Sequence, residues 1–257
     1  MRFGFARQVL TVVFLLSAPL VQADFRALST QSAYIPAETF RFSVSSRVLK
    51  RPGEETLYSL PEFGISYAVA ERVEVSGTWP VLILDRTKQS TLVGGGDVLL
   101  STKTTFFAHP GSWAAAFRFA VKLPNAKAHK RLGTDEADIF YGLLVSERAG
   151  QFEFSQNLGM GILGDPEAGQ GQEDVYTYAL SANIKPSRFD FFVQWYGQTN
   201  THPEYVFSHI SAGAGYRAGK VGFVFSGLKS LTTKPKGYQN FLGADWGVKL
   251  KIEWRPM

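Results

Sequence analysis

The sequence has no cysteine, so disulfides, thiolate metal sites and a lipid-modified cysteine behind the leader are all excluded. Beyond residue 23 it also lacks any apolar run near the roughly 20 residues that a membrane-crossing helix needs. Charge of one sign is missing as well. Lys and Arg number 27 against 22 Asp and Glu, a formal +5 that falls to +3 once Arg2 and Arg7 leave with a leader. A balance so close to neutral gives nucleic acid no electrostatic footing. No glycine-rich loop leads into a helix to cradle phosphate. The four histidines and the acids show no spacing that would gather tetrahedral metal ligands on one strand face. No cofactor and no metal are therefore expected.

What the chain does contain begins with Arg2 and Arg7, an apolar run from Val9 to Val21, and Val21-Gln22-Ala23 before Asp24. A basic start, a short apolar stretch and small residues at the −3 and −1 positions mark residues 1–23 as a signal peptide cleaved near Ala23–Asp24. The remainder is of a size for one all-β domain. Aromatics make up 14% of the chain, with 21 Phe beside 25 Gly. That mixture suits pleated surfaces, tight turns and interfacial aromatic belts.

Alternation is the main signal. Phe152, Phe154, Leu158, Met160 and Ile162 fall on one face of a strand, with Gln156 the polar member, while Glu153, Ser155, Asn157, Gly159 and Gly161 fall on the other. Twelve such strands are expected: 38–47, 57–69, 72–83, 95–107, 112–123, 137–147, 151–163, 174–185, 188–198, 204–217, 220–229 and 241–254. After each even-numbered strand the link is short and built from Gly, Pro and small polar residues, as around His109-Pro110-Gly111 and Arg148-Ala149-Gly150. After each odd-numbered strand it is longer and often charged, as at 84–94 and 124–136. Short turns at one end and long loops at the other predict an antiparallel up-and-down transmembrane β-barrel of about twelve strands over 38–257, with the short turns periplasmic. A bacterial outer membrane is the expected location, and an even strand count closes the sheet so that no backbone edge meets lipid.

Several stretches also carry a resemblance. Gly96-Asp97 opens a strand, Lys122-Leu123-Pro124 ends one, Leu132-Gly133 is followed by Asp138, and a strand contains Asn157-Leu158-Gly159. In these features the chain resembles the outer-membrane barrels grouped as the putative MetA-pathway of phenol degradation or "transporter" family, and related barrel families of unknown function. The resemblance covers about half of the chain after the leader. It implies an outer-membrane location and transport of small, often hydrophobic compounds, and carries no catalytic residues. Such barrels usually end on an aromatic residue read by the assembly machinery, whereas Arg255-Pro256-Met257 follow Trp254 here. Either Trp254 serves with a short tail or the assembly signal is weak.

If one face meets lipid, function lies on the other. Trp246, Val248, Leu250, Ile252 and Trp254 point outward. The lumen-facing candidates are Arg41, Glu62, Glu74, Asp97, Lys103, Arg118, Lys122, Asp138, Glu153, Asp190, His209, Arg217, Asp245, Lys249 and Lys251, joined by Arg47 and Glu253. Signs are balanced, as burial of charge demands. The set reads either as a web of ion pairs stiffening the barrel or as a polar conduit that guides a solute. Twelve strands lie between a filled eight-stranded barrel and an open porin, so a narrow or gated passage is expected. Inward glycines (among them Gly64, Gly142, Gly159, Gly213 and Gly247) either leave a groove or relieve tight packing.

The periplasmic segment 24–37, with Phe25, Leu28, Tyr34 and Ile35, is a candidate plug. Basic loop residues including Lys50, Arg51, Arg86, Lys127, Lys234 and Lys236 would face lipopolysaccharide phosphates or simply solvent. The expected partners are outer-membrane lipid and lipopolysaccharide, the barrel-assembly machinery and a small solute, with the barrel a monomer. Two alternatives stay open: a lipid-modifying hydrolase, for which His209 and Ser211 share a strand face without a third group, and a sealed structural or adhesive barrel. No catalytic residues are assigned.

Overall fold

Alternating side chains become thirteen strands that close on themselves. The structure, a computed structural model, describes residues 31–35, 40–51, 55–86, 90–109, 111–126, 132–133, 135–165, 171–200, 206–232 and 244–256. The leader 1–23 and residues 24–30 lie outside them. In chain order the strands begin with β1 (Phe40–Lys50), β2 (Glu55–Ala70), β3 (Val73–Arg86) and β4 (Leu92–Gly95). They continue with β5 (Val98–Ala108), β6 (Trp113–Leu123), β7 (Asp138–Ala149), β8 (Phe152–Asp165) and β9 (Gly171–Ile184). The last are β10 (Phe189–Thr199), β11 (Phe207–Ala218), β12 (Val221–Ser230) and β13 (Trp246–Trp254). No helix occurs among the described residues. Sequential neighbours pair antiparallel, and β13 returns to β1 from Phe42 opposite Trp254 to Lys50 opposite Trp246. The sheet is a closed barrel of twelve staves, because β4 and β5 share one.

That shared stave departs from the single strand expected over 95–107. β3 pairs with β5 through Val73–Thr78 and with β4 through Val81–Leu84, and the break falls at Gly96-Asp97. The reason is steric and electrostatic. A Cβ on Gly96 would lie 2.6 Å from Pro80 Cγ and 2.8 Å from Leu82 Cδ1, so only glycine permits this approach. The next residue, Asp97, turns its carboxylate into the barrel to accept a hydrogen bond from the Ala126 N–H at 2.8 Å. Other strand ends move by a few residues. β1 and β2 run further toward the long-loop end than 38–47 and 57–69. β11 starts at Phe207 rather than 204, and β13 at Trp246 rather than 241, residues 241–243 lying outside the described set.

The short-turn end is built as the sequence leads one to expect. β7 and β8 are joined through Gly150 and Gln151, and β11 and β12 through Gly219 and Lys220. Gly150 and Gly219 have φ of 61° and 59°, the left-handed conformation that two-residue hairpins require. On β13 every outward residue is exposed and every inward one buried. Around the short-turn end the outer face carries aromatic contacts, with Phe107 and Trp113 stacked at 3.9 Å and Phe40 meeting Trp254 edge-on at 6.4 Å. An outward apolar wall edged by aromatics is the exterior of a transmembrane barrel.

Candidate functional site in the barrel lumen

Because the pleat sends alternate residues inward, the lumen is lined by charged side chains from nearly every stave. Many of them are buried: Glu62, Arg118 and Glu153 keep only 4%, 6% and 3% of their exposure. Midway along the barrel, Glu62 accepts hydrogen bonds from Ser45 Oγ at 2.9 Å, Arg47 Nη2 at 2.5 Å and Lys249 Nζ at 3.0 Å. Toward the short-turn end each glutamate holds two bases. Glu74 takes Arg41 and, at 3.6 Å, Lys103. Glu153 takes Arg148 at 2.7 Å and Lys185 at 3.2 Å. Glu253 takes Lys251 at 2.5 Å and Arg255. Such pairing satisfies buried charge that would otherwise be prohibitively costly.

The long-loop end is different. Leu49, Leu57, Leu82, Leu84, Tyr196 and Phe207 turn inward and pack with Ala126, Leu132 and Ala244, residues that lie between strands. The lumen therefore holds a packed apolar cluster under its outer rim. One ionic cluster fastens that rim. Lys122 Nζ lies 2.7 Å from Asp138 Oδ2 and 3.8 Å from Asp97 Oδ2, and Asp138 Oδ1 accepts the Gly164 N–H at 3.1 Å. A Cβ on Gly133 would meet Ala126 Cβ at 2.5 Å and the Asp97 carboxylate at 2.8 Å. Residues that stand apart in the sequence, Gly96-Asp97, Lys122, Leu132-Gly133 and Asp138, thus meet in one place. They hold Ala126 and Leu132 against the apolar cluster.

A second element enters from the N-terminal side. Residues 31–35 lie inside the barrel, with Ala33 fully buried. Ala33 N donates to Ser146 Oγ at 2.8 Å, and Ala33 O accepts from Thr105 Oγ1 at 2.6 Å. Lys103 Nζ donates to the carbonyls of Ser32 and Tyr34 at 3.1 and 3.2 Å. The Asn157 amide, oriented to satisfy both of its ends, accepts from Gln31 N at 2.8 Å and donates to Gln31 O at 3.1 Å. The Arg148 guanidinium covers the Tyr34 ring at 3.7 Å. Burial pushes the Tyr34 hydroxyl above its ordinary pKa, so it stays protonated against the His109 carbonyl, 3.5 Å away.

The remaining candidates fall as follows. Asp190, half-buried on β10, and Arg217, exposed near the end of β11, both line the short-turn mouth. Asp245 is half-buried at the long-loop rim, one residue before β13, where its backbone bonds Lys50 O. His209 is fully buried beside Tyr196 and Phe207, with Nε2 3.2 Å from Ala244 O. The buried Ser211 hydroxyl has no hydrogen-bond partner in the structure, so it is not joined to His209. Among the glycines, Gly142 and Gly159 face each other, and a Cβ on either would meet backbone at 2.6 and 2.3 Å. There glycine serves close approach. Gly215 and Gly222 instead line the open mouth. Of the basic loop residues, Lys127, Lys234 and Lys236 lie outside the described set, while Arg51 is buried. Sequence reading did not single out Arg148, Lys185 and Arg255 as lumen residues, nor the inward leucines. The bases sit at or beside turns, Leu82 and Leu84 flank Ile83 where both strand faces are apolar, and Leu49 and Leu57 fall beyond or at the ends of the expected strands.

Comparison with known proteins fits this geometry. The family model described as "Putative MetA-pathway of phenol degradation" matches residues 53–246, about three quarters of the chain. The chain belongs to that family. No curated protein matches the sequence. Among solved structures, the COG4313 outer membrane channel from Pseudomonas putida F1 aligns with a TM-score of 0.66 at 10% identity, covering 91% of this chain and 99% of that one. The NanC porin aligns at 0.59 and 8% identity, covering 83% and 100%. Phospholipase A of the Escherichia coli outer membrane aligns at 0.51 and 8% identity, covering 91% and 94%. At such identities the likeness is one of fold: the outer-membrane β-barrel.

Proposed function

We propose that this family member is a narrow outer-membrane channel or transporter for small, largely apolar solutes, aromatic ones among them. The observation that carries the reading is the apolar cluster inside the lumen. Inward leucines and aromatics beneath the outer rim make the wall there compatible with an apolar solute. An apolar compound passing from water into that region is stabilised by about 25 cal/mol for each Å² it buries. The family's description points the same way. In this reading the barrel works as a monomer set into the outer membrane by the assembly machinery, with its long loops toward lipopolysaccharide. In the same reading residues 31–35, held inside the barrel, act as a plug, and opening requires them to withdraw.

Cells carrying the protein should accumulate labelled toluene faster than cells without it, and Leu84→Asp should cut that gain sharply. Equal uptake with and without the protein would refute the reading. Deleting 24–36 should raise single-channel conductance in a planar bilayer. Unchanged conductance would remove the plug, and unchanged conductance together with no uptake gain would favour a sealed structural barrel.

A further inference from the structure

We infer that Lys50, Trp246 and Lys229 form a binding site on the outer wall of the barrel for the headgroup phosphates of lipopolysaccharide. The inference takes from the proposed function only its orientation, long loops toward lipopolysaccharide. It does not depend on what crosses the lumen.

The pleat sets these two lysines apart. Among the described residues every other Lys or Arg within a strand takes the inward side, as Arg47 and Lys249 do opposite one another, and Lys103 and Arg118 likewise. Lys50 and Lys229 instead stand in register with Trp246, one on each side of it. Trp246 belongs to the outward, exposed set of β13, and residues directly opposite in an antiparallel ladder share a face. Both lysines therefore point away from the lumen. They lie where the strands meet the long loops: Lys50 ends β1, Trp246 opens β13, and Lys229 is next to last in β12. A base on the lipid face is costly at mid-bilayer and tolerated near the interface. This row thus marks the headgroup level of the outer leaflet.

The row has the chemistry that such a headgroup needs. The lysines stand two strand spacings apart, roughly 10 Å, and each carries its ammonium on a stem that can reach up from an apolar wall. Ammonium and phosphate form charge-assisted hydrogen bonds, and the indole between them suits the same boundary. Lower on the same faces, Val48, Val248, Leu250 and Phe225 offer acyl chains an apolar surface. Lys50 Nζ lies 3.5 Å from the Thr56 hydroxyl, and beyond Lys229 the row continues with Ile210 and Trp195. The acid on the row, Asp85, is two strands from Lys50 on the side away from Lys229. At the opposite rim the outward positions are aromatic, as at Trp254, Phe189 and Trp113, and the charge opposite Trp113 is the acid Glu147. Outward bases mark one leaflet and not the other.

Native mass spectrometry of the full-length protein in detergent tests this with bisphosphorylated lipid A, with the same lipid stripped of phosphate, and with phosphatidylglycerol. Lipid A should be retained, and removing its phosphates should weaken it by about thirtyfold, the effect of two lysines at a membrane surface. Lys50→Gln/Lys229→Gln should weaken lipid A to the same extent, and Lys50→Arg/Lys229→Arg should restore it. Lys220→Gln, in the turn at the opposite rim, should change nothing. Heat-modifiable migration checks that each variant is folded. Retention that ignores phosphate, survives in the folded Gln pair or falls equally with Lys220→Gln overturns the site. Phosphatidylglycerol held as tightly as lipid A overturns lipopolysaccharide as its occupant. Thr91 is exposed at the long-loop end just before β4, so Thr91→Cys should react with a membrane-impermeant maleimide on intact cells. No reaction overturns the orientation and the site together. Toluene uptake separates the site from the channel. Uptake without lysine-dependent lipid A binding removes the site and leaves the channel, and lysine-dependent binding without uptake does the reverse.

Discussion

The two ends of the lumen carry opposite chemistry. At the long-loop end, inward leucines and aromatics of β1, β2, β3, β10 and β11 meet residues from between strands. From mid-barrel to the short-turn end, glutamates bracketed by bases line the wall instead. Apolar packing is non-directional and tolerates a different occupant of similar shape, whereas an ion network is held to its geometry by each partner. On the proposed function, the first region is the one that receives a solute, and the second holds the barrel's cross-section.

The sharpest way to break the contrast is at mid-barrel. Glu62→Ala strips one acceptor from Arg47 and Lys249 together and should lower stability by about 3–5 kcal/mol, the cost of leaving buried charge unpaired. Urea unfolding in detergent, followed by heat-modifiable migration, measures it, and a loss under about 1 kcal/mol would mean that water reaches the network. In the apolar cluster Leu84→Ala should cost somewhat less, about 3 kcal/mol. Added toluene should restore part of that loss by filling the cavity the substitution leaves. No recovery would argue that this region does not take apolar solutes.

The rim latch comes next. Lys122→Met leaves Asp97 and Asp138 facing each other and should destabilise the barrel by about 2 kcal/mol, while protease cleavage between β6 and β7 quickens. The smallest effect concerns the inner segment. Thr105→Val removes one hydrogen bond to the Ala33 carbonyl and should cost about 1 kcal/mol, read as faster cleavage of the N-terminal segment with little change in barrel unfolding. Equal changes in both would mean that the segment and the wall unfold as one.

The fold was legible because alternation and turn chemistry are local. Phe152–Ile162 announces its two faces without reference to any other residue, and Gly150 and Gly219 mark hairpins where the backbone needs positive φ. The lumen was legible only as an inventory. That Glu62 and Lys249 meet across 187 positions depends on closure between β1 and β13, which no local pattern encodes. Leu82-Ile83-Leu84 is apolar on both faces, so the period that separates inside from outside vanishes there, and the inward apolar cluster could not be read from it. Gly96-Asp97 reads as a strand opening, and its true role as a break within one stave appears only when Pro80, Leu82 and Ala126 stand beside it. Residues 31–35 are held largely through their own backbone groups, which every sequence possesses.

The order of pairing has a consequence for assembly. Every pairing between staves but one joins neighbours in the chain, so those hairpins form with little loss of loop entropy. The β1–β13 seam instead unites positions some two hundred residues apart. Until that last seam zips, the nascent sheet carries two open edges, each a row of unsatisfied amides able to recruit a foreign strand. Closure is thus the slow, entropy-limited step of maturation, and Trp254, opposite Phe42 at the start of the seam, is placed to begin it.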